Sequence, residues 1–317
     1  MRDFRNIIFV LIIIVFALQM YVMKEDAKNE LALEKVKPIV ALSTFSLYDV
    51  AKNISGDTIE LVMILPFGVD AHSFEPTPKL VAKIHKSDLL MYNGAGLEPW
   101  IEGFEFPNKA IDMSRSVTLL SLEEEENEEE HHHEHDSECS HNGVDPHYWL
   151  DIENMIKVTH IMRDEFIKIA PENEQLYKNN QQVYVNRLHA LDDAYKQKLS
   201  TCQGDTIIVN HNAFSYLANR YGFHVESLSG LSPEAEPSAK NMIKLIKHVK
   251  EHNISTVFFE SFVSDKAMKS IAKEAGVDVD VLQPLGNITA DEAQKKLDYE
   301  TVMRINLEKI SRALKCR

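Results

Sequence analysis

Cysteine is scarce in this chain, which has 3 cysteines among 317 residues. An odd number leaves at least one thiol outside any disulfide. Cys202 and Cys316 are able to pair in an oxidising compartment, but their spacing does not establish the bond. Because the first cysteine is Cys139, we expect no lipid-modified cysteine close to the N-terminus.

Several signatures of other protein classes are absent from the sequence. It contains neither the H-E-x-x-H motif of zinc hydrolases nor a G-x-S-x-G nucleophile turn. It has no basic stripe, and its net charge of -15 repels the phosphate backbone of nucleic acids. The charge therefore excludes nucleic acid as a partner. The missing motifs give no support to the common hydrolase classes.

Much of the acidic charge lies in one segment, EEEENEEEHHHEHDSECSH, at residues 123–141. The segment holds ten of the 49 acidic residues, so the rest of the chain has 39 against 34 Lys and Arg, a net charge of only -5. It has no apolar face to bury, and we expect a solvated insertion. Imidazole, carboxylate and thiol groups are ligands of divalent metals, which makes the insertion a candidate for auxiliary weak metal sites. The histidines concerned are His131, His132, His133, His135 and His141. The alternative is that the insertion only keeps the protein soluble.

The N-terminal residues 1–24 have the character of an export segment. Arg2 and Arg5 precede the apolar run IIFVLIIIVFAL at residues 7–18. This length fits the hydrophobic region of a secretory signal, whereas a membrane span needs ~20 apolar residues. No small-x-small cleavage site is evident before Lys24, so an uncleaved membrane anchor stays open. Both interpretations predict an exported, periplasmic protein.

Short apolar runs alternate with amphipathic stretches along the rest of the chain. This alternation predicts an α/β fold with two parallel-sheet lobes, the first at residues 36–170 and the second at 203–317. Residues 172–200 contain no Pro or Gly and predict one long helix, roughly 40 Å in length. We expect this rigid helix, at 171–200, to join the lobes, with a metal site in the cleft between them.

Three histidines follow predicted strands or lie in tight loops. They are His72 in GVDAHSFEP, His147 in DPHYWLD and His211 in IIVNHNAF. Ligands of open parallel sheets bind beyond the carboxyl ends of the strands, where we place these residues. Three neutral imidazoles and one open position form a zinc site. We therefore predict that His72 and His147 of the first lobe and His211 of the second bind one cation.

Other polar residues are candidates for supporting roles. Asp145, Asp151 and Asn210 lie close enough in sequence to orient the imidazoles, although Asp151 equally suits helix capping. Glu260 ends the predicted strand TVFFE, where it is either a fourth ligand or a buried carboxylate paired with a lysine. Further histidines lie in helical segments and are predicted to lie on solvated faces, namely His85, His160, His189, His248 and His252.

Several separated motifs resemble, in the right order, the zinc-binding solute receptors of bacterial ABC transporters, the ZnuA type. They are SDLLMYNGAGLEPW, DPHYWLD, NHNAFSYLANRYG, SPEAEPSAKN and FFESFVSDKAMKSIAKEAGVDVDVLQPLG. The resemblance covers nearly all of residues 38–317, including the insertion. It implies a receptor, expected to be a monomer, that captures Zn²⁺ between two lobes and delivers it to a membrane permease. It also implies His72, His147 and His211 as the ligands.

The sequence departs from related receptors at the fourth ligand. Manganese-binding relatives use two histidines and two carboxylates, and His211 stands where they have Glu. LQPLG at 282–286 has no acid where they have Asp, and Gly286 stands where some zinc relatives have Glu. We therefore expect water, or a group from the insertion, as the fourth ligand. An exported zinc hydrolase and a metal-buffering protein are the alternative functions, and imidazole ligands alone do not select zinc over copper.

Overall fold

The computed structural model describes residues 19–20, 37–121, 143–229, 239–252, 254–261 and 265–317. Within the predicted export segment it describes Gln19 and Met20, which are helical, and the remaining residues of 1–24 lie outside the described part. The predictions for the insertion at 123–141 also lie outside it. In the described ranges, none of the helices combines the length and the apolar character that crossing a membrane requires.

The first lobe is built on a four-stranded parallel sheet with the strand order β2-β1-β3-β4. One of its two inner strands, β1, is fully buried at Val40, Ala41 and Leu42, because both faces of the sheet are covered. The sequence pattern does not predict β4, whose residues KAID are partly exposed at the edge of the sheet. The strands are β1 (Ile39–Leu42), β2 (Glu60–Met63), β3 (Leu89–Tyr92) and β4 (Lys109–Asp112).

Helices cover this sheet and begin at recognisable caps. The Asp151 carboxylate caps the helix over residues 152–169 by accepting a hydrogen bond of 2.8 Å from the Glu153 amide. The helices are α1 (Phe45–Ser55), α2 (Pro78–Ile84) and α3 (Ile152–Ile169). Short 3₁₀ turns lie at Pro99–Gly103, Met113–Ser116 and Tyr148–Leu150.

The second lobe repeats the same topology, with parallel strands in the order β6-β5-β7-β8. The sequence pattern does not predict β6, because its mixed residues HVESLS lie at the edge of the sheet and are only partly buried. The strands are β5 (Thr206–His211), β6 (His224–Ser229), β7 (Thr256–Glu260) and β8 (Asp278–Leu282). The helices are α5 (Ser215–Tyr221), α6 (Ala239–Glu251), α7 (Lys266–Ala275), α8 (Ala290–Gln294) and α9 (Tyr299–Ala313).

One long helix, α4 (Glu174–Leu199), joins the lobes after a 3₁₀ turn at Pro171–Asn173. Leu176 and Val183, although apolar, are 40% and 61% exposed. A neighbouring stripe at helical spacing is buried instead and includes Tyr177, Tyr184, Leu188, Leu191 and Tyr195. The helix is thus held by an aromatic-rich face, and the predicted fold class of two parallel-sheet lobes joined by a long helix is confirmed.

Arg187 in the middle of α4 links this helix to both lobes. Its guanidinium donates hydrogen bonds to Asn53 of α1 at 3.1 Å, to Asp298 at 3.0 Å and to Glu300 at 2.7 Å. Asp298 caps α9 and Glu300 lies in its first turn. These bonds fix the joining helix relative to the first and last helices of the two-lobed unit.

Cys202 and Cys316 form a disulfide across a sequence separation of 114 residues. The bond ties the segment that follows α4 to the C-terminal end of the chain. Backbone amides of Gln203 and Gly204 also donate hydrogen bonds to the carbonyl of Leu314, at 3.1 and 2.9 Å. The pairing that the cysteine spacing did not establish is therefore present, and it links the beginning of the second lobe to its end.

Candidate metal centre

His72, His147 and His211 come from three different local structures. His72 lies in the loop between β2 and α2, His147 precedes the 3₁₀ turn Tyr148–Leu150, and His211 is the last residue of β5. All three are buried, with 5%, 2% and 1% of their surfaces exposed. The loop after β2 and the carboxyl end of β5 therefore face each other where the lobes meet, the usual ligand position in parallel sheets.

The three imidazoles converge through their ring nitrogens. Nε2 of His147 lies 3.2 Å from Nε2 of His72 and 3.4 Å from Nε2 of His211. One nitrogen from each ring lies within 4.8 Å of the other two. Zinc–nitrogen bonds of about 2.0–2.1 Å in a tetrahedral site separate their nitrogens by roughly 3.3 Å. The observed spacing therefore suits one small cation bound by three rings.

Carboxylates contact the opposite nitrogens of two of these rings. Nδ1 of His147 lies 2.8 Å from Oδ1 of Asp145, and Nδ1 of His211 contacts Oε1 of Glu260. When each ring carries its proton on Nδ1, this group donates a hydrogen bond to the carboxylate, and the lone pair of Nε2 points into the cleft. Asp145 and Glu260 are 1% exposed, so these pairs lie in a region shielded from water. The arrangement fixes both the tautomer and the orientation of the two rings.

The local electrostatics favour positive charge at His211. Burial alone lowers the pKa of His211, but the charge of Glu260 and its hydrogen bond, together with the charges of Asp70 and Asp145, raise that pKa above its usual value. The same negative charges attract a metal ion, which competes with the proton for the ring. The centre is therefore a pocket with a net preference for a cation.

Asp70 is a contributor that the sequence interpretation missed. Its Oδ1 accepts a hydrogen bond of 2.9 Å from the amide of His72, and Asp145 makes the same 2.9 Å contact with the amide of His147. Both histidines thus sit in an Asp-x-His turn, D-A-H at 70–72 and D-P-H at 145–147. Burial raises the pKa of Asp70 to about 6. The repeated Asp-x-His spacing is the sequence signal that identifies it.

Two of the residues proposed to orient the imidazoles, Asp151 and Asn210, make no side-chain hydrogen bond to an imidazole within the described ranges. Asp151 caps α3 and lies 3.3 Å from the Arg220 guanidinium, so its carboxylate contacts no imidazole among the described residues. Asn210 is buried beside His211, but in the described ranges its side-chain amide has no hydrogen-bond partner. Neighbouring residues of a strand point to opposite faces, which directs Asn210 away from the face that carries His211.

Glu260 is placed differently from the lysine pair that the sequence suggested. Its ion-pair partner in the described part of the chain is the imidazole of His211. The expectation of a lysine partner is wrong, because β7 lies beside β5 and brings the ends of the two strands together. The carboxylate is therefore positioned to orient a ring.

The loop between β8 and α8 closes the remaining side of the cavity. The cavity around the imidazoles is also lined by Asp70, Trp149, Pro284 and Asn287. A Cβ atom at Gly286 would lie 3.3 Å from the Trp149 ring, so a side chain there would press against the indole. The indole Nε1 donates a 2.6 Å hydrogen bond to the carbonyl of Pro284. Glycine at 286 contributes no side-chain ligand, which leaves the fourth coordination position to another group.

Comparison with known proteins gives a consistent family assignment. The family described as zinc-uptake complex component A, periplasmic (ZnuA), matches residues 40–313. The high-affinity zinc uptake system protein ZnuA of Bacillus subtilis is 33% identical over 281 residues, which cover 87% of each chain. The zinc-binding lipoprotein AdcA of Streptococcus pneumoniae is 32% identical over 271 residues, which cover 85% of this chain and 54% of the relative. The chain thus spans about half the length of the AdcA relatives.

Solved structures agree with this result. The Zn(II)-bound ZnuA-like domain of Streptococcus pneumoniae AdcA superposes with a TM-score of 0.73 at 29% identity and covers 88% of this chain and 99% of that domain. The laminin-binding protein Lmb of Streptococcus agalactiae, described as an adhesin with metal-transporting activity, gives a TM-score of 0.76 at 28% identity, with coverage of 88% and 99%. The two-lobed architecture is therefore shared with proteins described as binding or transporting metals.

Proposed function

The chain belongs to the ZnuA family of zinc-uptake components, and on that premise we propose that it is an extracytoplasmic receptor that binds Zn²⁺ and delivers it to the permease of an ABC transporter. His72, His147 and His211 are the protein ligands in this proposal, with Asp145 and Glu260 orienting two of the rings. Zinc is the transported cargo. The division into lobes at 36–170 and 203–317, with the joining helix at 171–200, is part of the same proposal.

The observation that carries the proposal is the convergence of three Nε2 atoms from both lobes. Distances of 3.2 and 3.4 Å between them match the ligand spacing around tetrahedral zinc. Unbound imidazole lone pairs at this spacing repel one another, so a cation relieves an unfavourable arrangement. A site shared between two lobes also gives the ion a means of holding the lobes together.

The ligand types favour zinc over manganese. Imidazole nitrogens suit zinc, copper and nickel, whereas manganese prefers carboxylate, carbonyl and water oxygens. Gly286 supplies no oxygen ligand from its side chain. Water or another group completes the zinc site. Copper is the ion against which ligand chemistry alone does not discriminate, so Cu²⁺ is titrated beside Zn²⁺ and Mn²⁺.

A receptor suits the architecture better than an enzyme or a buffer. The two sheets, the joining helix and the buried centre are an assembly built around one small cavity, and the relatives are named as zinc-binding or zinc-uptake proteins. A hydrolase would show zinc-dependent turnover of ester or peptide substrates. A buffer would bind several ions with similar, weak affinity.

Calorimetry on the metal-stripped full chain tests the proposal. We expect one tight Zn²⁺ site together with weaker ones, and Mn²⁺ binding that is weaker than Zn²⁺ binding. His211→Ala should abolish the tight site, because His211 supplies the second lobe's imidazole to the cluster, while the exposed His189→Gln should leave it intact. Tight binding that survives His211→Ala would disprove the ligand assignment.

Uptake measurements separate the receptor from the other two functions. A bacterium lacking its own zinc receptor and carrying this protein with its cognate permease should regain growth on scarce zinc. Deleting residues 123–141 should remove weak sites and keep the tight one. Failure of uptake despite tight binding would point to a buffer, and zinc-dependent turnover would point to a hydrolase.

A further inference from the structure

Two histidines of the second lobe, His248 and His252, face each other one helical turn apart. His248 lies in α6, and the amide of His252 donates a 3.0 Å hydrogen bond to the carbonyl of His248, so the helical turn continues past Glu251. Their ring centroids are 4.2 Å apart and the ring planes differ by 16°. Residues four apart on a helix share one face, which places two imidazoles side by side.

The two rings differ in exposure and in hydrogen bonding. His252 is exposed, whereas His248 is half-buried and contributes a buried Nε2 that has no hydrogen-bond partner within the described ranges. Buried ring nitrogens are nearly always paired, and an unpaired one needs an explanation such as a bound water or ion. The neighbouring ring of His252 supplies a second imidazole nitrogen, on an exposed side chain.

We propose that His248 and His252 form a second metal site, for a divalent cation of the type that imidazole prefers, Zn²⁺, Ni²⁺ or Cu²⁺. Each ring contributes one nitrogen, and water fills the other coordination positions. The stacked rings are nearly parallel, so their lone pairs do not yet point at a common centre. His252 is exposed, so its ring has room to tilt toward an ion held by His248.

The surroundings make this site weaker than the interlobe centre. Lys244 and Lys247 lie on the same helix and repel a cation, although Lys247 is partly neutralised by Glu251 at 3.5 Å. These charges are exposed and are screened by salt, so they reduce the affinity without abolishing it. Two nitrogens in place of three lower the affinity further. The inference is independent of the function proposed above, since it uses none of the residues of the interlobe centre.

Site-resolved protection of His252 tests the proposal on the full chain. The protein is first loaded with one equivalent of Zn²⁺ and then titrated with Ni²⁺ as the probe. Diethyl pyrocarbonate modification of each histidine is read by mass spectrometry, which separates His252 from the histidines of residues 123–141. We expect Ni²⁺ to protect His252 at lower concentrations than the exposed, isolated His189 and His224 in the same digest.

The matched variant is His248→Gln, which keeps an amide of similar size and removes one ligand. Because the second ligand of a chelate binds at high effective concentration, losing it should raise the Ni²⁺ midpoint for His252 by at least about tenfold. Protection of His252 that matches His189 in the wild type, or that is unchanged in His248→Gln, would overturn the proposal.

A second measurement keeps the test decisive if His248→Gln folds poorly. His252→Gln changes an exposed side chain and should leave the fold intact. Paramagnetic Ni²⁺ should broaden the amide resonances of α6 in the wild type and not in His252→Gln. Equal broadening in both proteins would refute the site.

Discussion

Oδ1 of Asp145 accepts two hydrogen bonds from His147, one of 2.8 Å from ring atom Nδ1 and one of 2.9 Å from the backbone amide. One carboxylate oxygen thus fixes both the backbone turn and the ring that it carries. Asp145 is buried, and its Oδ2 has no hydrogen-bond partner in the described part of the chain. The orientation of His147 therefore depends on a single acceptor in a site shielded from water.

Removing this acceptor should weaken zinc binding without removing a ligand. We expect Asp145→Ala to lower the zinc affinity by about 10- to 100-fold, as for other groups that orient metal ligands. Asp145→Asn keeps an oxygen acceptor and should lose less. Competition with a chromophoric chelator measures both changes. Asp151→Asn, which alters a helix cap instead, is the matched control, and an unchanged affinity in Asp145→Ala would contradict the role assigned here.

Asn287 couples the two lobes beside the metal centre. Its buried side-chain amide donates hydrogen bonds to the carbonyls of Pro66, at 2.6 Å, and Val69, at 2.8 Å, in the loop that leads to His72. In the opposite direction, the backbone amide of Gly68 donates a 2.9 Å hydrogen bond to the carbonyl of Ile288. The spacing between His72 and His211 thus depends on this contact across the cleft.

We expect Asn287→Ala to weaken zinc binding by about tenfold, because the variant leaves two carbonyls without their donor. Release should accelerate, and stopped-flow chelation of bound zinc measures that rate. Asn180→Ala, which loses a 2.9 Å bond to the Ile54 carbonyl far along α4, should leave release unchanged. Similar effects of the two variants would show that general loosening, and not interlobe spacing, controls the site.

Asp49 makes stability depend on pH. Burial, followed by the charge of Asp298, raises the pKa of Asp49 to about 6 from an ordinary value of 3.8. The folded protein therefore holds a proton that the unfolded chain releases, and the stability provided by the protonated form is lost as pH rises from about 4 to 6.

Asp49→Asn should remove this dependence. The wild type loses stability over this range and the variant does not. The free energy of unfolding of the variant minus that of the wild type should therefore increase by up to about 3 kcal/mol between about pH 4 and pH 7. Urea titrations of both proteins across this range measure the difference. The control is Asp57→Asn at an exposed position of the same lobe. Its difference from the wild type in free energy of unfolding should not change with pH. A pH-independent difference for Asp49→Asn as well would rule out a link between protonation of Asp49 and stability.

The Cys202–Cys316 disulfide should stabilise the folded chain mainly through its long loop. A bond that closes 114 residues restricts the unfolded ensemble, and its removal typically costs about 2–5 kcal/mol. We expect Cys316→Ser to lower the free energy of unfolding of the metal-free protein, measured by urea titration, by this amount and to leave zinc affinity unchanged. Dithiothreitol should have the same effect on the wild type and none on the variant. A variant as stable as the wild type would show that hydrogen bonds to Leu314 suffice.

Two of the four edge strands, β4 and β6, were missed by the sequence interpretation of the fold. The runs IVAL in β1, LLM in β3 and IIV in β5 are apolar, and such runs are recognisable without any partner. β4 and β6 have mixed residues, because an edge strand is paired on one side and partly open to water. Their identity depends on a neighbouring strand that lies elsewhere in the sequence, which local pattern does not reveal.

The sequence by itself determined most of the strands and helices and the chemistry available at their ends. Periodicity defined the alternating strands and helices, and it placed His72 and His211 beyond strand ends and His147 in a tight loop. The Asp-x-His spacing fixed local turns, since an Asp side chain reaches an amide two residues ahead. These features arise from contacts within a few residues, and they are readable one segment at a time.

Tertiary structure alone decided which distant groups meet. It paired Glu260 with His211 in place of a lysine, joined Cys202 to Cys316, and set Asn287 against the loop of Pro66 and Val69. It also selected Tyr177 and Tyr184, and not Leu176 and Val183, as the buried face of α4. Such choices depend on how whole lobes pack, because burial and charge are properties of the assembled surroundings and not of any one stretch of chain.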